Sequence, residues 1–316
     1  MASNISDSLL RGPPRGATVH RIDFEKTSPP IPSFKDRFAA VIDDFMTEAE
    51  CKDLLRLAEE SINPPIPDAD ADPSRTHTSA WERAMINVGG GRQVMSVDTR
   101  KSGRIILDSG EIAQRLLDRL MPFLRDFHID VVKNQPLVTG LGPARRGESF
   151  HISQLNERLR FLRYDGGDYF RPHWDGCYVT PDGKERSLFT IHLYLNGDGE
   201  QDLAELLPEI ERAEKKHGLF AKNGEVDLME IATEEAEPST PAPASALESL
   251  RSQGKLLGGA TSFTDGYSAK EAVRVFPRTG SVLLFQQRNL MHAGDDVFRG
   301  VKYTMRTDVM YTNDSS

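Results

Sequence analysis

The sequence contains little cysteine and no long apolar run. Its 316 residues include two cysteines, Cys51 and Cys177, so a disulfide framework is not predicted and a reducing compartment is the default interpretation. No stretch approaches the roughly 18 consecutive apolar residues that indicate a membrane-spanning helix. The start of the sequence, MASNISDSLL, lacks the apolar core of a signal peptide. We therefore expect a cytoplasmic protein with no membrane partner, and a nuclear location is not excluded.

Acidic residues outnumber basic ones. Asp and Glu together number 48 against 39 for Lys and Arg, which gives a formal net charge of -9. A general nucleic-acid binder needs a clustered basic surface. The acidic balance, and the lack of an evident basic and aromatic-rich channel, argue against a nucleic-acid partner. At this length the chain can bury a full core in one large or two ordinary domains, and the sequence does not specify an oligomeric state.

The stretch from Phe161 to Cys177, FLRYDGGDYFRPHWDGC, contains two residues of metal-binding type. His173 and Asp175 are separated by one residue, so an extended backbone points both to the same face, with Trp174 on the other. A third ligand is available downstream, where His292 lies in FQQRNLMHAG. Two histidines and one carboxylate leave three metal positions open, an arrangement that non-haem Fe(II) uses. The sequence therefore predicts a metal site at these three residues.

A basic strand follows the third ligand. In the run Gly300 to Arg306, GVKYTMR, the residues Lys302, Thr304 and Arg306 share one face of an extended chain. That face is polar and basic, as an anionic cosubstrate would require.

Short β-like runs separated by Gly and Pro dominate the chain from Asn156 onward. They are Arg158 to Tyr164, Leu188 to Leu195, Ala260 to Phe263, Val273 to Val275, Ser281 to Phe285 and Tyr303 to Tyr311. Closely spaced runs of this kind predict a double-sheet sandwich or a jelly roll.

Several motifs occur in a fixed order around the predicted ligands. They are the RY-x-x-G-x-x-Y/F-x-x-H-x-D block at Arg163 to Asp175, the strand Phe189 to Asn196, the GGATSF turn at Gly258 to Phe263, the strand PRTGSVLLF at Pro277 to Phe285, His292 and Lys302. In this order they resemble the 2-oxoglutarate- and Fe(II)-dependent dioxygenases, specifically the prolyl 4-hydroxylase-like branch. The resemblance implies an α+β, mainly β chain, with a double-stranded β-helix of jelly-roll or cupin-like type braced by N-terminal α-helices.

The resemblance also implies an activity. It is hydroxylation of an unactivated C–H bond, coupled to decarboxylation of 2-oxoglutarate to succinate and CO2. The cofactors are Fe(II), 2-oxoglutarate as cosubstrate and O2, with ascorbate as a further candidate. Lys302 matches the residue that binds the distal carboxylate of 2-oxoglutarate, and Tyr164 matches the tyrosine whose hydroxyl reaches it; Thr304 would add a second hydroxyl. Arg306 is the alternative anchor, because its planar fork suits a carboxylate.

Two helices are predicted from capping signals. Thr47 precedes Glu50 by three residues, and Asp108 precedes Glu111 by the same spacing. The apolar stripes that follow are Cys51, Leu54, Leu55 and Ala58 in the first helix and Ile112, Ala113, Leu116, Leu117, Leu120 and Leu124 in the second. In the resembled family, two such helices brace the outer face of the catalytic barrel.

The predicted domain organisation has a tail and one folded unit. Residues 1–33 are rich in Pro, Ser, Arg and Gly and are predicted to be a disordered tail that joins no core. Residues 34–316 are predicted to form a single dioxygenase domain, with helical support in 34–140 and the jelly-roll core in 141–316.

The region 199–256 interrupts the core. Its first part, Gln201 to Lys216, is a charged helix candidate, and Thr233 to Ser249 is predicted to be disordered. Because it joins two strands near the mouth in the resembled family, the insertion is either a lid or substrate-selecting arm, or a solvated loop without function.

Four other features have ordinary structural interpretations. Asn63 to Ala80 is predicted to be an exposed Pro-rich loop, and Gly89 to Gly91 a flexible turn, because it lacks the strand and helix of a dinucleotide site. Lys222 to Ile231 lacks oxygen ligands at two positions of a calcium loop, so calcium binding is not expected. His192 is a pocket candidate, but a hydrogen-bonded structural histidine is preferred.

The sequence is compatible with two classes of substrate. A small molecule such as a free amino acid fits a stand-alone chain slightly better than a prolyl residue in a protein, because no separate peptide-binding domain is found. The alternative from another class is a non-catalytic jelly-roll module that recruits a partner through the insertion. A nucleic-acid demethylase is disfavoured by the acidic balance.

Overall fold

The computed structural model describes residues 5–62, 81–87, 93–216, 254–266 and 272–313. The predicted loop at 63–80, the glycine cluster at 89–91, the rejected calcium loop at 222–231 and the predicted disordered stretch at 233–249 lie outside these residues. None of the described helices is long and apolar enough to cross a membrane.

The described elements of the N-terminal half combine two long helices with short strands. They are β1 (Thr18–Arg21), β2 (Ala39–Asp43), α1 (Glu48–Ser61), β3 (Glu82–Arg83), β4 (Ile86–Asn87), β5 (Gln93–Val94), β6 (Arg100–Lys101), β7 (Gly103–Asp108), α2 (Gly110–Asp126), β8 (Val131–Lys133) and α3 (Pro136–Thr139). Short 3-10 turns lie at Pro32–Phe34 and Pro143–Arg145.

The C-terminal half is mainly β. Its elements are β9 (Ser149–Leu155), β10 (Arg158–Tyr164), β11 (Tyr169–His173), β12 (Glu185–Tyr194), α4 (Leu203–Lys216), β13 (Leu257–Gly258), β14 (Thr261–Phe263), β15 (Val273–Val275), β16 (Val282–Gln286), β17 (His292–Gly294), β18 (Val297–Arg299) and β19 (Lys302–Asn313). The predicted β runs are confirmed, with ends that differ by at most a few residues.

Two antiparallel sheets form the core of the fold. The larger sheet has the order β1-β2-β16-β12-β19-β10-β7-β3, with β9 paired to β19 and β8 paired to β9. The smaller sheet has the order β15-β14-β17-β11-β6. From β10 onward the chain passes repeatedly from one sheet to the other, which is the path of a jelly roll. The prediction of a mainly β, jelly-roll core braced by helices is confirmed.

The inner faces of the two sheets pack against each other. Tyr194 of β12 donates its hydroxyl to Thr261 of β14 at 2.7 Å. The rings of Phe263 in β14 and Phe285 in β16 meet edge to face with centroids 5.5 Å apart. These contacts fix the spacing between the sheets, and the candidate site lies in the space between them.

Helices α1 and α2 cover the outer face of the larger sheet. The capping box of Thr47 and Glu50 is present, but the second helix is capped by Ser109, whose side chain accepts from the Ile112 amide. The predicted cap at Asp108 is therefore wrong by one residue, because Asp108 ends β7 instead. The predicted stripe of α2 is buried as expected; in α1, Leu57 rather than Leu55 completes the buried face.

The segment before residue 34 is part of the core, so the predicted disordered tail is wrong for residues 5–33. Leu9 and Leu10 are each only 2% exposed, and β1 pairs with β2 along its whole length. Arg115 donates to the carbonyls of Ser6 and Leu9 at 2.7 and 2.9 Å. A segment without apolar periodicity is thus ordered, because buried arginines of α2 satisfy its carbonyl groups.

The predicted charged helix of the insertion is confirmed as α4. It lies against the outer face of the smaller sheet, with Leu206 buried. Gln201, just before it, makes two hydrogen bonds to the backbone of Gly258, at 2.8 and 2.6 Å.

Candidate metal centre

The three predicted metal ligands come together where β11 ends and β17 begins, in the interior of the smaller sheet. His173 ends β11 and His292 begins β17, and the two residues are register partners in that antiparallel pair. Asp175 follows β11, with Trp174 exposed on the other side. The ligand atoms of the three side chains all lie within 4.8 Å of one another. Asp175 Oδ1 lies 3.9 Å from His173 Nε2, and Asp175 Oδ2 lies 3.6 Å from His292 Nε2.

Hydrogen bonds orient each ligand toward a common point. His173 Nδ1 lies 2.8 Å from the Arg171 carbonyl, and His292 Nδ1 lies 3.2 Å from the Leu290 carbonyl. A carbonyl only accepts, so each ring carries its proton on Nδ1 and keeps the Nε2 lone pair for the cluster. Thr190 in β12 donates its hydroxyl to Asp175 Oδ2 at 2.7 Å. Ligating histidines in metalloproteins are held in this way.

The protonation state of the cluster suits a divalent cation. Burial, with the neighbouring His292 ring, lowers the pKa of His173 to about 3. Burial also lowers the pKa of His292. Burial opposes ionisation of Asp175, but the Arg306 guanidinium and the two imidazoles hold the pKa of its carboxyl well below the usual range. Two neutral imidazoles and one carboxylate are therefore ready to bind a metal without releasing protons. The donor set fits Fe(II).

Lys302 is buried at the opposite side of the same cavity. It begins β19, directly across from Tyr164 in β10, and is 1% exposed. Its Nζ lies 5.2 Å from the Tyr164 ring centroid and 5.7 Å from that of Tyr194. In the described part of the chain no hydrogen bond or ion pair holds this ammonium, and burial lowers its pKa to about 8.

Arg306 lies on the same strand face but is already paired. Its Nη1 lies 3.0 Å from Asp175 Oδ1, and its Nη2 lies 3.3 Å from Asp308 Oδ1. Thr304 lies between the two cations, and among the described residues its buried hydroxyl has no hydrogen-bond partner. The predicted shared face of Lys302, Thr304 and Arg306 is thus present, with a free cation at one end and a paired one at the other.

His192 lines the cavity, so the preference for a hydrogen-bonded structural histidine is wrong. Its register partner is Arg306 of β19, and its ring stacks on that of Tyr194 with centroids 5.2 Å apart. Within the described residues its buried Nε2 has no partner, and burial lowers its pKa well below the ordinary value. A neutral imidazole is therefore presented to the cavity.

These groups line a cavity whose empty space, including the solvent at its mouth, is about 510 Å³. Its lining includes the residues above and two arginines that the sequence analysis missed, Arg100 and Arg160. Arg160 lies two pleats from Tyr164 on β10, so the period of the strand alone could have identified it. Arg100 has no such signal, because it reaches the cavity only through the pairing of the two-residue strand β6 with Phe170 of β11.

Comparison with protein-family models and with curated proteins gave no match. Among solved structures, the chain is similar to a viral collagen prolyl hydroxylase from Paramecium bursaria Chlorella virus-1 in complex with 2-oxoglutarate. The sequence identity is 16% and the TM-score is 0.40. The alignment covers 88% of this chain and 97% of the viral chain. It is also similar to a prolyl 4-hydroxylase from Pseudomonas putida, with 14% identity, a TM-score of 0.42, and coverage of 88% and 95%. Prolyl 4-hydroxylases, which the sequence motifs resemble, are thus among the similar structures. Identities of this size do not transfer a reaction or a substrate to this chain.

Proposed function

We propose that the protein is a 2-oxoglutarate- and Fe(II)-dependent dioxygenase that hydroxylates a C–H bond. One observation carries the proposal: the triad of His173, Asp175 and His292 shares a cavity with the buried, unpaired ammonium of Lys302. A structural metal site is normally closed by four protein ligands, whereas this one offers three. A buried cation without a partner is costly in free energy, which an incoming carboxylate would offset.

His173 Nε2, Asp175 and His292 Nε2 would hold the metal. Bound Fe(II) would supply the activation of O2, which is reduced by four electrons, two from 2-oxoglutarate as it loses CO2 to give succinate and two from the substrate C–H bond. The chain supplies position, charge and exclusion of water. Thr190 and the two backbone carbonyls fix the ligands before the metal arrives, so little reorganisation is needed.

We assign Lys302, and not Arg306, as the residue that binds the distal carboxylate of 2-oxoglutarate. The two cations differ in whether they already have ion-pair partners, since Arg306 is paired with Asp175 and Asp308. Breaking that pairing to bind the cosubstrate would leave the buried carboxylate of Asp175 without its cation, whereas Asp308 would keep only Arg160. The Tyr164 side chain lies beside Lys302, and the unpaired Thr304 hydroxyl lies one pleat away. Both are therefore assigned to the same carboxylate as further hydroxyl donors.

The proposal is tested by metal titration and by 2-oxoglutarate turnover without added substrate. We expect slow, Fe(II)-dependent formation of succinate that is lost in His292→Ala. The control is His20→Ala, whose side chain is 65% exposed and lies on the surface, with Nε2 3.4 Å from Asp43 Oδ2. A folded protein that neither binds the metal nor converts 2-oxoglutarate would overturn the proposal and favour a non-catalytic binding module.

The substrate is proposed to be a small molecule such as a free amino acid, or a prolyl residue in a protein. The two differ in the shape of molecule that must enter the cavity. Incubation with 2-oxoglutarate and a panel of free amino acids and proline-containing peptides, scored by substrate-dependent succinate, separates them. Stimulation by peptides alone would exclude the small-molecule assignment.

A further inference from the structure

The charges that line the cavity do not balance. Four cationic side chains lie on its wall: Arg100, Arg160, Lys302 and Arg306. Among the described residues, two carboxylates oppose them, Asp175 in the lining and Asp308 behind it. The charge of Asp295 also acts on Lys302, but Asp295 is itself ion-paired with Arg274 at 3.0 Å. The divalent metal and the dianionic cosubstrate of the proposed function cancel each other. A surplus of two positive charges therefore remains in the loaded site.

The two surplus charges belong to Lys302 and Arg100. Arg306 is paired with Asp175, and Arg160 Nη1 lies 3.3 Å from Asp308 Oδ2. Lys302 is assigned to 2-oxoglutarate. Arg100 is left, and no carboxylate of the described residues is paired with it.

The surroundings of Arg100 hold its guanidinium in place without neutralising it. Its Nε donates to Ser102 Oγ at 3.1 Å, and its Cζ lies 4.5 Å from the centroid of the Phe170 ring. Burial lowers its pKa, the neighbouring Tyr164 side chain raises it, and the charges of Arg306 and Arg104 lower it. The adjacent Lys101, by contrast, has a carboxylate partner at 3.4 Å, Asp168. A cation that is oriented in a cavity but has no carboxylate partner there is a binding group for an anion.

Arg100 also lies close to the metal centre. The Phe170 ring that contacts its guanidinium stacks on the ring of His173, with centroids 3.6 Å apart. One aromatic ring therefore separates the free cation from a metal ligand. The empty space here, about 510 Å³ including the solvent at the mouth, also has to seat 2-oxoglutarate, so what enters beside the cosubstrate is a small molecule or a single side chain rather than a folded partner.

We propose that the substrate is a small carboxylic acid whose carboxylate binds Arg100, with Arg160 as a second cationic contact. The inference rests on the proposed function and narrows it. A carboxylate held at Arg100 would place the rest of a small molecule beside the triad of His173, Asp175 and His292, which sets the C–H bond to be attacked. A neutral prolyl residue within a peptide chain supplies no such charge.

The first test measures binding, without turnover. The protein is saturated with Mn(II) and 2-oxoglutarate, and thermal unfolding is followed with matched acids and amides at constant ionic strength: L-proline and L-prolinamide, L-leucine and L-leucinamide, benzoate and benzamide. A ligand that binds the native state raises the unfolding temperature. We expect at least one acid to raise it more than its amide. A panel in which no acid exceeds its amide overturns the proposal.

The second test uses variants. Arg100→Gln should weaken binding of the preferred acid by about tenfold or more, because a charge-assisted bond is lost, while the amide is unaffected. Lys101→Gln is the matched control and should leave the preference intact. Arg100→Lys keeps the charge and should retain part of the preference, which covers the case in which Arg100→Gln does not fold. Retention of the full preference in Arg100→Gln overturns the assignment.

Failure of this inference is distinguishable from failure of the proposed function. If Mn(II) and 2-oxoglutarate do not raise the unfolding temperature of the unmodified protein, the dioxygenase assignment is wrong, and the acid panel is repeated without them to judge Arg100 alone. If they raise it in both the unmodified protein and Arg100→Gln, but no acid is preferred, only the substrate class is wrong.

Discussion

Lys302 packs directly against the backbone of Gly259. A side-chain carbon at position 259 would lie 3.0 Å from Cγ2 of Val297 and 3.2 Å from Cδ of Lys302, and the φ of Gly259 is +70°. The GGATSF turn therefore leaves space for the stem of the proposed anchor, and glycine is needed both for the backbone conformation and for the contact.

Gly259→Ala should weaken 2-oxoglutarate binding through this contact. We expect a loss of about 1–2 kcal/mol in stability from the left-handed backbone, and a displaced Lys302 with a higher Kd for 2-oxoglutarate. The control is Gly183→Ala, where φ is +75° and no atom lies within 4 Å of the added carbon. Urea unfolding and 2-oxoglutarate titration check both variants. Equal Kd values in the two would show that the contact does not matter.

The pKa of Lys302 predicts a pH dependence of cosubstrate binding. Burial lowers it to about 8 from the ordinary 10.5. The ammonium is half protonated at about pH 8 and almost fully protonated below about pH 7. The affinity for 2-oxoglutarate should therefore be highest at the lower pH and should fall as the pH rises through 8. The ligand-free protein should behave in the opposite way, because between pH 8 and 10.5 the unfolded chain binds the extra proton and stability therefore rises with pH. Calorimetric titration of metal-loaded protein from pH 6.5 to 8.5 checks the first part; a flat profile would remove Lys302 as the anchor.

Thr190 should matter for metal affinity, although it is not a ligand. Its hydroxyl donates to Asp175 Oδ2 at 2.7 Å, and loss of such an orienting bond weakens metal binding by about 10–100-fold. Thr190→Val keeps the shape of the side chain and removes the donor. Thr180→Val, in the turn before β12, is the control. Competitive chelation of Mn(II) measures the effect, and unchanged affinity in Thr190→Val would contradict it.

Arg306 should stabilise the metal-free protein more than the metal-bound one. Its side chain is 22% exposed, and its partner Asp175 is 2% exposed. Arg306→Gln leaves a buried carboxylate without its cation, at a cost of about 3 kcal/mol. A bound divalent ion would replace the missing charge, so Mn(II) should restore part of the loss.

Urea unfolding with and without Mn(II) measures this difference. Arg278→Gln, which removes a half-exposed pair with Asp44, should cost under about 1 kcal/mol in both conditions. An equal loss in Arg306→Gln with and without metal would mean that Arg306 has no electrostatic role at the centre.

The N-terminal segment should contribute to stability and not to cosubstrate binding. Removal of residues 1–16 would expose the face that Leu9 and Leu10 cover and leave donors of Arg115 and Arg119 without their carbonyls. We expect a loss of about 3–5 kcal/mol, since each unsatisfied buried group costs about 1–3 kcal/mol. The 2-oxoglutarate Kd should be unchanged. If the truncated protein unfolds at the same urea concentration as the full chain, the N-terminal segment does not contribute to the core and the disordered-tail interpretation is correct.

The sequence by itself predicted the candidate metal triad and the basic strand. The pair His173 and Asp175, and the face of Lys302, Thr304 and Arg306, follow from the two-residue period of extended chain, which is a local property and places alternate side chains on one face. His292 has no such local signal, and its place in the triad comes from the order of the motifs. The helices α1 and α2 follow for the same reason from a local period and a local cap.

Only the tertiary structure decided the rest. Arg100 enters the cavity through a non-local strand pairing, and residues 5–33 are ordered by hydrogen bonds from α2 across about a hundred positions of sequence. The tertiary structure also shows which of the two candidate anchors is already paired. Arg306 has the Asp175 carboxylate within reach, whereas Lys302 has no such partner among the described residues. Partners of this kind are set by the packing of one element on another, and no periodicity within a single segment encodes them.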